Sequence, residues 1–171
     1  MQERQVTAGG HTWFLPKPFT VVATENSLDT EGVWALGEAQ VDRFMMSIEQ
    51  HYPPMEEERR MVALTTGTQR SQAQVISSPE EVLSMQALVR EVPVVPSVRD
   101  FALAIVRASR PGEIGAADEL GQSVRLGASP RAAQALLLAG KVTALARGRH
   151  HVTRQDIIDV VRPCMAHRLL L

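Results

Sequence analysis

The chain has 171 residues, 18 of them Lys or Arg and 19 Asp or Glu, and 44% of its residues are hydrophobic. This composition is typical of an ordinary globular chain of one or two small domains, and it excludes collagen-like, disordered and disulfide-rich proteins. The only cysteine, Cys164, can close no internal disulfide. Because no apolar run approaches the roughly 20 residues that span a bilayer, and no signal-like N-terminus is present, the sequence predicts a cytoplasmic protein without a membrane span.

The charges are unevenly distributed along the chain. Residues 1–54 carry three basic and seven acidic groups, whereas residues 111–171 carry eight basic and five acidic groups. This basic surplus is small, and only 4% of the residues are aromatic, so few side chains could stack on bases. The sequence therefore argues against nucleic acid as a partner.

The N-terminal third has the residue pattern that is typical of β-strands. We predict a hairpin over residues 5–14 with a glycine turn, a buried strand over 19–24, a loop over 25–37, helical turns over 38–43 and a short strand over 44–48. So few strands bury too little apolar area to offset their ordering entropy. This segment is therefore predicted to be an incomplete part of an α/β fold.

The periodicity becomes helical after Pro53-Pro54, and we place a domain boundary there. Five helices are predicted: residues 55–66, a helix capped by Ser78 before Pro79, residues 98–110 capped by Ser97, a helix from Pro130 that stops at Gly148, and a last helix capped by Thr153 with Asp156 and kinked or ended by Pro163. The fold class is thus α+β, with an α/β remnant over residues 1–53 and an all-α bundle over residues 54–171.

Apolar residues at helical spacing mark the faces that these helices should bury. The predicted stripes are Val82, Met85, Leu88 and Val89; Ala132, Ala135, Leu136, Ala139, Val142 and Ala146; and Ile157, Ile158, Val160 and Val161.

Three short strings imitate functional motifs without their context. Residues 140–143 (GKVT) lie inside a predicted helix and lack the glycine-rich approach of a phosphate-binding loop. Residues 117–119 (ADE) follow no apolar strand, so a solvated loop is the simpler interpretation. The adjacent His150 and His151 have no further ligand at useful spacing, and no metal site is predicted.

Three polar residues remain as functional candidates. Asn26 follows the C-terminal end of an apolar strand, where open α/β sheets bind ligands, although an Asx turn would also explain it. Arg43 ends a helical turn and could be a simple surface arginine. Arg131 lies in the first turn of a helix, where the macrodipole disfavours a cation by roughly 0.3–1 kcal/mol. Arg99 and Arg154 share that disadvantage without an evident purpose.

Four ordered strings resemble the C-terminal part of a MoxR-type AAA+ ATPase, and together they cover nearly the whole chain. They are FTVVATEN at residues 19–26, EG at 31–32 followed by EAQVDRF at 38–44, LGASPRA at 126–132 and GRHHVT at 148–153. The opening MQERQVT is similar to a stretch inside the ATPase core of that family, so we do not expect Met1 to mark a natural domain start. The resemblance implies the end of an AAA+ core followed by a helical lid.

The resemblance also implies a role for each candidate. Asn26 would be sensor 1, which orients the attacking water and senses the γ-phosphate. Arg43 would be the arginine finger presented to the nucleotide of the neighbouring subunit, where such a residue stabilises charge on the transferred phosphoryl group. Arg131 would be sensor 2, which couples the position of the lid to phosphate occupancy.

Two departures from the family pattern occur between sensor and finger. Asn26-Ser27 stands where the family usually has Asn-Pro, and residues 34–37 (WALG) replace a YPLP stretch. The phosphate-binding loop and the Mg-binding acidic pair would lie upstream of residue 1, so ATP and Mg are expected cofactors of a full-length protein and neither is expected to bind this chain alone.

Two functions follow from the resemblance. The first is ATP hydrolysis in a homo-oligomeric ring that acts in a chaperone-like way on client proteins, among them proteins with von Willebrand A domains. The alternative is a non-catalytic helical module that keeps the lid for contact with subunits or partners.

Overall fold

The computed structural model describes residues 4–25, 36–68, 72–113 and 123–171. Their elements are β1 (Gln5–Ala8), β2 (His11–Phe14), α1 (Glu38–Val41), α2 (Met55–Thr66), α3 (Pro79–Glu91), α4 (Pro96–Ala108), α5 (Pro130–Ala146), α6 (Arg154–Asp159) and α7 (Val161–Met165), and a 3-10 turn at Ala166–Arg168 follows α7. The described residues thus form one two-stranded sheet and a set of helices, which confirms the α+β class.

The N-terminal hairpin forms as predicted. β1 and β2 pair antiparallel, and Ala8 lies opposite His11. The two-residue turn between them requires the left-handed region, which Gly9 (φ 58°) and Gly10 (φ 78°) adopt without a Cβ penalty.

The two other predicted strands, residues 19–24 and 44–48, are absent from the sheet. Their apolar side chains are not buried either, because Val22 and Ile48 are each 83% exposed. A strand needs a neighbour that accepts its backbone hydrogen bonds and covers one face, and the described residues supply neither. The prediction of a buried strand at residues 19–24 was therefore wrong for this chain.

Most helix starts follow their caps. Ser78 and Thr153 each accept a hydrogen bond from the backbone three residues later, and the capping boxes with Glu81 and Asp156 are complete. The predicted cap at Ser97 is wrong. α4 begins two residues earlier than predicted, with Val95 as the N-cap, because Pro96 is pre-organised for the first helical position.

The core of the helical bundle is built around α5. α3, α4, α6 and α7 all contact it, and the buried residues of the core are Val92, Val98, Ala102, Val106, Ala128, Ala132, Ala133, Ala135, Leu136, Ala139, Ala144, Val152, Ile157, Val160, Cys164 and Met165. Small residues on α5 allow α6 to approach closely. A Cβ on Gly140 would lie only 2.8 Å from Cδ1 of Ile157.

The predicted stripes are only partly buried. Met85 and Leu88 on α3 are 57% and 53% exposed, and Val142 near the end of α5 is 49% exposed. α3 packs on α5 along one side only, and no described element covers its other side. The last helix is interrupted at Val160 as expected, since Pro163 has no N–H to donate to the carbonyl of Asp159.

No helix among the described residues is both long and apolar enough to cross a membrane.

Candidate functional site

The loop that leads into α5 is held by the two residues that directly follow α4. The backbone N–H of Ala128 donates to Oγ of Ser109 at 3.1 Å, and Nε of Arg110 donates to the carbonyl of Ala128 at 2.9 Å. Gly127 lies against the same backbone, because a Cβ at this position would be 2.4 Å from the carbonyl oxygen of Ser109. The loop therefore delivers Ser129 and Arg131 to a defined place.

Asp42, at the end of α1, joins this loop through its carboxylate. Oγ of Ser129 donates to Oδ1 of Asp42 at 2.7 Å while accepting the backbone N–H of Arg131 at 3.2 Å. The guanidinium of Arg131 donates to Oδ2 of Asp42 at 3.3 Å. The carboxylate thus offsets the unfavourable position of Arg131 in the first turn of α5, because an anion is favoured at a helix N-terminus.

Arg168 binds the same carboxylate from the opposite end of the chain. Its side chain is only 2% exposed, and its Nε donates to Oδ1 of Asp42 at 3.1 Å. The remaining N–H groups of the guanidinium donate to the carbonyls of Asp42, Phe44, Met45 and Cys164. A buried guanidinium needs such saturation, since each unpaired donor would be costly.

The ionised form of Asp42 is the stable one in this setting. Burial raises the pKa of this carboxyl, but hydrogen bonds from Ser129, Arg131 and Arg168 outweigh burial and lower the pKa below its ordinary value.

His167 contacts the same segment. Its Nε2 lies 3.2 Å from the carbonyl of Phe44, and burial lowers the pKa of the ring. The neutral imidazole can donate from Nε2 to that carbonyl.

Arg43 lies one residue after Asp42 with its side chain exposed. Its backbone N–H closes the last helical turn by donating to the carbonyl of Gln40 at 3.1 Å. Its guanidinium makes no hydrogen bond and no ion pair with the parts of the chain that the structure describes. Arg43 is therefore exposed to solvent directly after the residue whose carboxylate binds Arg131.

Asn26 lies outside the described residues, as do residues 117–119. GKVT at residues 140–143 is helical, as expected for an imitation of a phosphate-binding loop. Within the ranges that the structure describes, no group of three or more His, Cys, Asp or Glu could hold a metal ion. Two open grooves of about 500 and 460 Å³ are present, but neither Arg43 nor Arg131 lines them.

A second network explains the string at residues 148–153. Arg149 donates two hydrogen bonds to the fully buried carboxylate of Asp156, at 2.6 and 2.5 Å, and Arg147 reaches it at 3.3 Å. The backbone N–H and Oγ1 of Thr153 also donate to it, at 2.8 and 2.7 Å. The Arg149 hydrogen bonds, aided by Thr153, hold the pKa of Asp156 far below its ordinary value despite burial. This network stabilises the turn between α5 and α6.

Sequence reasoning missed Asp42 as the partner of Arg131 and Arg168 as the second arginine that binds Asp42. One signal was available for Arg168: it lies between Met165 and the leucines at residues 169–171, and an arginine in apolar surroundings needs partners. Nothing local identified Asp42 as that partner, because 126 residues separate the two.

Replacing Gly127 by alanine should destabilise the bundle and shift the loop before α5. The new Cβ would meet backbone atoms of Ser109 and Arg110 at 2.4 and 2.6 Å, and backbone cannot move aside as a flexible side chain can. We expect a loss of about 1–3 kcal/mol in the free energy of unfolding, measured by urea denaturation. Gly37→Ala is the control, because no atom of the described residues, its chain neighbours aside, lies within 4 Å of the Cβ position. Equal effects of both substitutions would contradict this account.

Two family models match the two parts of the chain. Residues 1–46 match the ATPase family associated with various cellular activities (AAA), and residues 117–170 match the AAA lid domain. The fold is that of a crystal structure of a candidate ATPase from Cytophaga hutchinsonii, with a TM-score of 0.87 and 34% identity over 99% of this chain and 52% of that one. The protein is therefore of the AAA+ class, with the end of a core and a helical lid.

The curated relatives define the family within that class. The chain is 39% identical to the chaperone MoxR1 of Mycobacterium tuberculosis over 171 residues, and 29% identical to the protein MoxR of Paracoccus denitrificans over 182 residues. All of the chain is matched in both cases, but it spans only 45% and 53% of those proteins, about half of their length. The chain belongs to the MoxR-type AAA+ ATPases.

Proposed function

We propose that this chain supplies the sensors, the arginine finger and the lid of a ring-forming ATPase that remodels client proteins in the cytoplasm. Residues 1–53 form the end of the core, with Asn26 as sensor 1 and Arg43 as the finger. Residues 54–171 form the lid, with Arg131 as sensor 2. The single observation that carries the proposal is the exposed side chain of Arg43, which directly follows Asp42, the residue whose carboxylate binds Arg131 and is itself held by buried Arg168.

The described donor groups fit one part of a Mg-ATP site. Two guanidinium groups suit the phosphate end of the nucleotide, because arginine stays ionised and donates in a planar fork. At each site, Arg131 of one subunit and Arg43 of its neighbour would contact phosphate oxygens. Mg when bound would neutralise charge on the β- and γ-phosphates. The residues that hold Mg and cradle the phosphates are expected in the half of the relatives that this chain does not span.

The chemical role of Arg43 follows from its exposure. A finger must leave its own subunit to reach the next nucleotide, so it cannot be buried or paired within its own fold. Arg43 meets this condition among the described residues, whereas Arg131 is 46% exposed and is paired with Asp42. We assign Arg43 to the neighbouring site and Arg131 to the subunit's own site.

Remodelling of partner proteins is the cellular role that we propose. One relative is named a chaperone, and the family resemblance suggests clients with von Willebrand A domains. The ring would be built from copies of one chain. Each copy would receive a finger from one neighbour at its own nucleotide site and would donate its finger to the site of the other neighbour.

A mixing experiment tests the finger across the interface. One variant of the full-length ATPase carries Arg43→Ala with an intact nucleotide site, and the other keeps Arg43 but has the phosphate-loop lysine replaced. Neither should hydrolyse ATP alone, whereas an equal mixture should regain turnover at about a quarter of its interfaces. A mixture that stays inactive although mixed rings form would rule out donation of Arg43 to a neighbour.

The alternative, a non-catalytic interaction module, has one observation in its favour. The bundle around α5 has its own buried core, so the lid does not depend on bound nucleotide for its packing. If the chain acts only in this way, Arg43→Ala will leave the turnover of the full-length protein unchanged.

A further inference from the structure

We propose that Arg168 is a positioning residue for the Arg43 finger, acting through the backbone of residues 42–45 and the carboxylate of Asp42. This inference rests on the proposed function of Arg43. Arg168 itself would touch neither nucleotide nor water. Its contribution is to hold the backbone of the residues on both sides of Arg43 in one conformation.

The hydrogen bonds of Arg168 surround residue 43. Its NH2 group donates to the carbonyl of Asp42 at 3.1 Å and to that of Phe44 at 2.5 Å, and its NH1 group donates to the carbonyl of Met45 at 3.3 Å. The carbonyls of the residue before Arg43 and of the residue after it therefore share one donor group. Since the direction of a side chain follows from its backbone, this arrangement fixes where the Arg43 guanidinium leaves the surface.

Because it is buried, Arg168 makes the strongest connection between residues 38–49, which include Arg43, and the lid. Apart from the pairs that Asp42 makes with Arg131 and Arg168, two ion pairs among the described residues connect them, Arg125 with Glu38 at 3.6 Å and Arg162 with Glu49 at 2.6 Å, and all four of these side chains are at least half exposed. Such surface pairs contribute about 0–1 kcal/mol. The Arg168 side chain is 2% exposed, so its bonds are screened little by solvent and must be broken together if the segment moves.

The arrangement also links the finger to sensor 2. Oδ1 of Asp42 accepts from Arg168 and from Ser129, while Oδ2 accepts from Arg131. Arg168 thereby fixes the carboxylate that binds Arg131, one residue before Arg43. Arg168 contacts the backbone next to Arg43 directly, but it reaches Arg131 only through this shared carboxylate.

Arg168→Lys in the full-length ATPase tests the proposal. Lysine keeps the charge but has three donors instead of five, so it cannot hold all the carbonyls around residue 43. A displacement of about 1 Å at a catalytic group can cost on the order of 10²-fold in rate, and we expect kcat to fall about tenfold or more with the Kd for ATP unchanged. Arg162→Ala, which removes an exposed tie to the same segment, should leave kcat unchanged.

A double variant distinguishes positioning from a general structural role. If Arg168 acts through Arg43, then Arg43→Ala with Arg168→Lys should be no slower than Arg43→Ala alone in single-turnover assays. Multiplying losses would overturn the inference, and so would a folded Arg168→Lys ring with wild-type kcat. If Arg168→Lys does not fold, Asp42→Asn replaces it, and the same non-additive loss with Arg43→Ala is expected. An Arg43→Ala ring with full turnover would instead refute the proposed function itself.

Discussion

Arg43→Ala is expected to lower the ATP turnover of the assembled ring by about 10³- to 10⁵-fold, the range that arginine fingers contribute in other phosphoryl-transfer systems. In the proposed role the guanidinium would stabilise charge that develops on the transferred phosphoryl group, so its loss would act on the transition state and not on ground-state binding. Turnover should fall while the Kd for ATP, measured by calorimetry, stays nearly constant.

Two further variants sharpen this measurement. Arg43→Lys should recover little activity, because an ammonium group cannot donate in the planar fork of a guanidinium. Arg162→Ala is the matched control, since it removes an exposed arginine that pairs only with Glu49 among the described residues. Parallel losses of affinity and turnover in Arg43→Ala would identify a structural role and count against a finger.

Asp156→Ala is expected to destabilise the lid by about 3–5 kcal/mol, the range found when one partner of a buried ion pair is removed. The substitution leaves Arg149 without its bidentate partner and removes the acceptor of the Thr153 backbone N–H at the start of α6. Urea denaturation of the chain, followed by far-UV circular dichroism, measures the loss. Asp159→Ala, which removes a partly exposed partner of Arg147, should cost below about 1 kcal/mol.

The same carboxylate predicts how the lid responds to acid. The pKa of Asp156 is lower in the folded chain than in the unfolded chain, so its stabilising contribution is complete above the unfolded pKa, about 3.9. The contribution is lost as the pH falls below that value. The difference in unfolding free energy between the wild type and Asp156→Ala should therefore narrow on acidification below about pH 4, and a constant difference would count against this linkage.

Local patterns in the sequence predicted local structure well. The Gly9-Gly10 turn, the capping boxes at Ser78 and Thr153 and the break before Pro163 were all predicted, because each depends on residues within one or two turns of the chain. Residues 19–24 were predicted to form a strand because their composition favours one. A strand also needs a neighbour in the sheet, and residues close in sequence do not reveal whether it is present.

The candidate site shows the same limit. The unfavourable place of Arg131 at a helix N-terminus was visible from the sequence, but its compensation by Asp42 was not. Arg168 and Asp42 are brought together only when the whole bundle folds, so no periodicity or cap could pair them. The role of Asn26, which lies outside the described residues, stays a prediction from resemblance alone.

The distance along the chain between Asp42 and Arg168 has a consequence for synthesis. The two residues are 126 positions apart, and a ribosome adding about 5–20 residues per second needs roughly 6–25 s to travel between them. During that interval Asp42 has been synthesised while its buried partner Arg168 has not. The contact between them therefore forms only after every helix of the bundle has been synthesised.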